Sequence, residues 1–187
     1  NGYPELAIRH ALAGHDDEAA ATLIENTADP TWMAGDISSP LRWIQALPSS
    51  IINQRMILRL RHIWLLILND QGEEATTQWR EIGRAWEAAT PPPSDPQFGL
   101  WAAIGGALAV FRNSPEEAAH LAQQALDLLP PDERLWRAVS RFNLGLAYQA
   151  QGLANPAADT FRMMIDQCLE LGIPYLAFAA LAAIALL

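Results

Sequence analysis

Four times along this chain a helix-breaking turn leads into acidic or proline residues and then a small one. The segments are Asp17-Glu18-Ala19, Glu73-Glu74-Ala75, Glu116-Glu117-Ala118 and Asn155-Pro156-Ala157. A turn that recurs with the same small residue behind it means that one supersecondary unit is being reused. Each segment opens the second helix of a pair, and the acids there suit the positive end of a helix dipole. The aligned alanines lie 56, 43 and 39 residues apart. The longest interval holds additional chain, Trp32–Gln54, which reads as an inserted helical hairpin near 32–54.

Between the turns, alanine and leucine abound and apolar residues recur at three- and four-residue spacing, the helical period. No Asn-Gly or Asp-Gly turn joins alternating segments, so hairpins of strands are not expected. The pattern predicts helices over 4–13, 16–27, 39–47, 50–70, 72–89, 97–112, 115–129, 133–151, 156–171 and 174–187, with 49–54 as an alternative separate helix before 55–70. Gly14 fits a helix end and Asp16 the N-cap that follows. Ser114-Pro115-Glu116-Glu117 has the form of a capping box with proline at the first helical position, and Asn155-Pro156 repeats the cap-then-proline order. Pro91-Pro92-Pro93-Ser94-Asp95-Pro96 reads as a stiff, extended linker over 91–96. Short loops imply antiparallel neighbours. The expected fold is all-α, a right-handed superhelix of antiparallel helix pairs (an α-solenoid) forming one domain over 1–187.

Composition narrows the function classes. The 187 residues are 51% hydrophobic, enough for a core without disulfide or metal staples. The net charge is −9, and all 12 basic residues are arginine. That balance argues against a nucleic-acid surface, where Lys and Arg cluster on one face. Cys168 is the only cysteine, so no internal disulfide forms, which fits a reducing, cytoplasmic compartment. The longest apolar runs, Leu100–Phe111 and Tyr175–Leu187, fall short of the roughly 20 residues that span a bilayer. The chain begins at Asn1 and stops inside an apolar run, and it reads as a fragment of a longer protein with no signal peptide.

Leu144-Gly145, Tyr148, Gly152, Ala157 and Phe161 fall at the spacing of the tetratricopeptide pattern, which the segment resembles. The preceding repeat keeps Gly106, Ala118, Ala125 and Pro130. The first two keep the turn, Ala19 or Ala75, and apolar Leu23 or Trp79. Tyr175–Leu187 looks like the first helix of a fifth, incomplete repeat. A narrower resemblance lies in residues 1–75, where Leu41-Arg42-Trp43 and Ala46-Leu47-Pro48 are the most telling words. This order is similar to the large, LuxR-type, ATP-dependent transcription regulators of the MalT-like family. The resemblance implies a helical repeat domain, placed between a nucleotide-binding module and a helix-turn-helix, that senses an inducer or a regulatory protein. The chain departs from the whole family pattern in having no GxxxxGK[ST] and no basic helix-turn-helix signal. Repeats of 39–43 residues also exceed the usual 34, which fits this family better than ordinary tetratricopeptide adaptors.

Chemistry-bearing residues have structural readings that compete with functional ones. His10, His15, His62 and His120 form no metal-ligand spacing. His10 and His15 flank a turn, while His62 and His120 belong on helix surfaces or in packing. Cys168 is expected as a small buried residue. The acid pairs recur at helix starts, where capping and solvation explain them. No catalytic motif is present, so no enzyme activity, cofactor or metal is expected; a helical hydrolase would need acids or histidines converging in one pocket. Arg55 and Arg59 share a helix face, as do Arg134, Arg137 and Arg141. Surface pairing with acids such as Asp132, Glu133 or Asp159 is the expected role, and an anion site for a phosphorylated or carboxylated effector is the functional alternative. Trp64, Trp79, Trp86, Trp101 and Trp136 are expected in helix interfaces.

The tetratricopeptide resemblance implies that the first helix of each pair lines a concave face. Carried over, that face holds Ile57, Leu60, Trp64 and Ile67; Leu100, Ala103, Ala107 and Val110; and Val139, Phe142, Leu146 and Gln149. Its apolar character suits a helix, an apolar ligand or the next turn of the chain itself. The absence of lysine disfavours a peptide-carboxylate clamp. The expected function is a non-enzymatic effector-sensing or protein-interaction domain of a MalT-like regulator, with an effector and the other domains of the parent chain as partners. No direct contact with nucleic acid or membrane is expected, and a homodimer through Tyr175–Leu187 is. The alternative is an independent tetratricopeptide scaffold for protein–protein interaction.

Overall fold

The computed structural model describes residues 3–87 and 95–187. Among them the chain is all helix and turn, with no strand. The helices are α1 (Pro4–Ala13), α2 (Asp17–Met33), α3 (Ser38–Gln45), α4 (Ser49–Gln54), α5 (Met56–Leu68), α6 (Gly72–Glu87), α7 (Asp95–Phe111), α8 (Pro115–Leu128), α9 (Arg134–Ala150), α10 (Ala154–Leu171) and α11 (Pro174–Ile184). They gather into two compact units, Asn1–Ile82 and Gly83–Leu187, and the division falls within the span of α6.

One turn geometry recurs six times among the described residues; in the loosest case, Gly35 after α2, the Asp36 N–H returns to the Thr31 carbonyl at 3.2 Å. In the other five, after α1, α5, α7, α9 and α10, a residue takes the left-handed conformation: His15, Asp70, Asn113, Gly152 and Gly172. The next residue's N–H returns to a carbonyl five positions back. These bonds run from Asp16 to Ala11, Gln71 to Leu66, Ser114 to Ala109, Leu153 to Tyr148 and Ile173 to Cys168, each at 2.9 Å. This is the Schellman closure, which satisfies carbonyls that a helix end leaves open. Two of the five positions are glycine, which has no Cβ to clash there.

The turn sets which face the following helix buries. Five residues beyond the left-handed position stand Ala20, Ala75, Ala118, Ala157 and Ala177, none more than 4% exposed. Nine residues beyond it come Ile24, Trp79, Ala122 and Phe161, all buried, whereas the fifth, Leu181 on α11, is exposed. The first repeat therefore lies one residue away from the register read from sequence. Ala20 and Ile24 take the places expected of Ala19 and Leu23, which are half-buried. His15, and not Gly14, carries the left-handed turn that fixes this register.

Other boundaries move for local reasons. Helix α2 continues past the expected stop at 27 to Met33, through Pro30, because Ala28 and Trp32 bury on its inner face. Residues 50–70 divide into α4 and α5, the alternative left open by the sequence. The segment read as an inserted hairpin holds the end of α2 together with α3 and α4. Helix α10 starts at Ala154, so Asn155 and Pro156 lie inside its first turn, where a missing N–H costs no helical bond. The capping box at Ser114 does not form, and its hydroxyl makes no cap bond. The Ser114 N–H is already taken by Ala109, so Glu117 has nothing to reach back to and pairs instead with Arg112 at 2.8 Å. Asp16 does cap α2, accepting from the Ala19 N–H at 3.2 Å. Of the proline-rich linker, residues 91–94 lie outside the described residues, and Asp95 and Pro96 begin α7.

In the first unit α2 packs against α1, α3, α4 and α5. Ile8, Ile24, Ile44, Leu58, Ile63 and Leu66 are fully buried there. A polar clamp crosses from α5 to α2, in which Arg61 donates to Asp29 through Nε and Nη2 at 3.1 and 2.8 Å and to the Glu25 carbonyl at 2.6 Å. In the second unit α7 packs on α8 and α9, α9 on α8 and α10, and α10 on α11. Phe161 is fully buried among Ala138, Ala157, Met164, Cys168 and Ala180. Burying one such ring contributes about 1.5–3 kcal/mol. Buried Asn143 on α9 donates to the Ala103 carbonyl on α7 at 3.2 Å, so its amide is partnered without water.

Candidate functional site

The residues assigned to a concave face serve the cores of their own units. Leu60, Trp64, Ile67 and Leu100 are buried, and Ile57 is half-buried. The Trp64 ring meets Trp32 edge-on at 5.7 Å. Phe142 and Leu146 on α9 pack against the cluster built from α10 and α11, with Phe142 6.0 Å from Phe161. Gln149 donates to the Ala183 carbonyl of α11 at 3.4 Å. Ala103, Ala107 and Val139 are buried as well, and Val110 is half-buried.

The arginines separate into two groups that sequence spacing could not tell apart. Arg55 takes the pairing role, reaching Glu18 and Glu25 at 2.7 Å each and drawing α5 to α2. Arg134 pairs with Glu170 across α9 and α10. Arg137 and Arg141, on the same α9, have no ion pair among the described residues. Both line a cleft of about 380 Å³ whose walls are Gln123, Leu126 and Asp127 from α8, Leu144 and Tyr148 from α9, and Thr160 and Met163 from α10.

Backbone and amide groups hold these two guanidinia. Arg137 Nη1 donates to the Leu126 and Leu129 carbonyls, both at 2.7 Å. Those carbonyls belong to the open C-terminal end of α8, which a cation suits. Arg141 Nη1 donates to Gln167 Oε1 at 2.5 Å, and Gln167 Nε2 donates in turn to the Arg134 carbonyl at 2.5 Å. Burial pulls the Arg141 guanidinium below its ordinary value, and the neighbouring Arg137 charge adds to that. Each guanidinium carries five N–H donors, so both keep donors beyond those these contacts use. Asp127 accepts from Gln123 at 2.9 Å, and the Thr160 hydroxyl donates to the Pro156 carbonyl at 2.8 Å. The cleft can hold an oxyanion by charge-assisted hydrogen bonds.

A second cleft, of about 260 Å³, lies in the first unit between α4, α5 and α6. Ser49, Ile52, Asn53, Arg59, His62, Gln78 and Glu81 line it. His62 Nε2 is buried without a hydrogen-bond partner among the described residues. Burial pushes the imidazole below its ordinary value, with Glu74 and Gln78 pulling the other way.

The remaining singled-out residues stand apart from both clefts. His10, His15 and His120 are exposed. Cys168 is buried in the α10 core, and burial pushes its thiol up. Among the described residues no three His, Cys, Asp or Glu side chains gather as a metal site, and no helix is long and apolar enough to cross a membrane. The signal for the α8–α9–α10 cleft was present in the i, i+4 spacing of Arg137 and Arg141. Gln123, Asp127 and Thr160 carried no signal, because only packing brings them there.

The chain is similar to HTH-type transcriptional regulators named MalT. It is 28% identical over 131 residues to the protein from Cronobacter sakazakii, covering 69% of this chain and 14% of that one. It is 26% identical over 151 residues to the protein from Yersinia enterocolitica, covering 81% of this chain and 17% of the relative. The Yersinia pestis protein is 25% identical over the same length. The chain thus spans about a sixth or less of the length of these curated relatives. No family model matches the chain, and no solved structure matches it.

Proposed function

We propose that this chain is a non-enzymatic sensing and interaction segment of a MalT-like, LuxR-type transcription regulator, built from tetratricopeptide-like helix pairs. The observation that carries the reading is the similarity to MalT proteins over 69–81% of the chain. The reuse of one Schellman turn, with a buried alanine five residues on in five of its six occurrences among the described residues, supports the repeat architecture. In this reading the ATPase and DNA-binding modules lie elsewhere in the parent chain. An effector that binds one form of the parent better than another shifts their balance, and only such a difference in affinity can do so.

The test is the complete reading frame that encodes the chain. A nucleotide-binding motif upstream and a helix-turn-helix downstream are expected. A frame lacking both overturns the reading and leaves an independent scaffold. The reading also includes self-association through α11, where Phe178 and Leu181 are 69% and 49% exposed. Light scattering at high protein concentration tests that part, and a strict monomer removes it.

A further inference from the structure

We propose that the cleft between α8, α9 and α10 is a binding site for the oxyanion of a small molecule, a carboxylate or a phosphate, held by Arg137 and Arg141. Acids outnumber bases 21 to 12 in this chain, so carboxylate partners are not scarce. Arg55, Arg61, Arg112, Arg134 and Arg162 have each found one. Arg137 and Arg141, like Arg9, Arg42, Arg59, Arg80 and Arg84, have none among the described residues; what sets these two apart is that they line one cleft together on one helix. Two cations held side by side repel each other, and an anion between them relieves that repulsion.

The site is also pre-organised. The carbonyls of Leu126 and Leu129 fix Arg137, and Gln167, itself anchored on the Arg134 carbonyl, fixes Arg141. Much of the ordering cost of two long side chains is therefore met before a ligand arrives. The planar donor fork of each arginine matches the oxygen pairs of a carboxylate or a phosphate. Asp127 lines the same cleft, where its carboxylate opposes a bare anion but accepts from a hydroxyl group, as it does from the Gln123 amide. An oxyanion that also carries a hydroxyl group therefore fits the lining better than a bare anion. This assignment stands on the cleft alone and holds for a regulator segment and for a scaffold alike.

The experiment is thermal unfolding and calorimetric titration of the 187-residue chain with malate, glycerol 3-phosphate and inorganic phosphate, against sodium chloride at matched ionic strength. Saturable stabilisation by malate or glycerol 3-phosphate beyond the salt control is expected, with inorganic phosphate weaker. The response to malate against that to glycerol 3-phosphate identifies the oxyanion class. Arg141→Gln should weaken binding by about tenfold or more, the scale of one charge-assisted contact. Met163→Glu is the second variant. Met163 is 58% exposed at the rim, so a glutamate there leaves the fold intact while opposing the anion. Stabilisation no greater than that by sodium chloride overturns the proposal, and so does unchanged affinity in Met163→Glu.

Discussion

The ring of Phe161 on α10 occupies the space that a side chain on Gly145 of α9 would need. A Cβ built on Gly145 would stand 2.5 Å from Phe161 Cε1 and 2.7 Å from Cδ1. Glycine at this point is a packing requirement, since it is the missing Cβ that lets the ring lie against the α9 backbone. Gly106 on α7 is a different case, because a built Cβ there would stand 3.5 Å from the Ala122 nitrogen of α8, an ordinary contact distance.

Gly145→Ala should therefore destabilise the protein, by about 1–3 kcal/mol from overpacking, although alanine favours a helix by up to about 1 kcal/mol. Chemical unfolding measures the difference. Combining it with Phe161→Leu should recover part of the loss, because the two sites are in contact and their effects are not additive. Strict additivity would show that the ring and the glycine do not meet.

The Arg61–Asp29 clamp joins α5 to α2 with both side chains under 20% exposed. Arg61→Met keeps the bulk and removes the charge, which strands Asp29 beside Trp32. The expected cost is about 2–3 kcal/mol, set by the partly buried carboxylate left behind. Adding Asp29→Asn should return part of it. A single variant as stable as the parent protein in urea would show that the clamp contributes nothing.

His62 gives the first unit a pH dependence of known sign. Its folded value lies below the ordinary imidazole value of 6.5 because burial disfavours the cation. Above 6.5 the ring is neutral in both states and its contribution is complete. As pH falls below 6.5 the unfolded chain takes the proton first, so stability drops until the folded-state value is passed. The melting temperature should therefore decline as pH falls below 6.5, and His62→Gln should flatten that slope. An equal slope in the variant would assign the decline to other groups.

Cys168 should be inert in the native state. It is fully buried, and burial holds its thiol protonated to higher pH, whereas the thiolate is the reactive form. Native protein should leave a thiol reagent such as DTNB unreacted over minutes, and denatured protein should react with one equivalent. Rapid native labelling would mean that α10 opens readily.

Local interactions made much of the architecture legible. Helix and turn positions follow from residues next to each other in the chain: Asp16 caps α2, Gly152 and Gly172 take left-handed turns, and prolines open α1, α8 and α11. The repeat was legible because the turn and its alanine are only five residues apart. The first repeat was misplaced by one residue because Ala19, Ala20 and Ala21 are chemically identical. Only the left-handed backbone at His15 decides that Ala20 faces inward.

The site depended on contacts that no local rule contains. Arg134, Arg137 and Arg141 look alike on one helix face, yet Arg134 meets an acid 36 residues away while Arg141 meets an amide 26 residues away. The eleven apolar positions of the expected concave face, and Gln149 with them, lie on α5, α7 and α9. Which surface each one meets was set by the helices that pack over it, as α11 does over Phe142, Leu146 and Gln149. Sequence determined the helices and the turns between them, because their hydrogen bonds close within a few residues. Tertiary structure decided which charges are neutralised and which are left facing a cleft, because a side chain's partner is fixed only when distant helices pack.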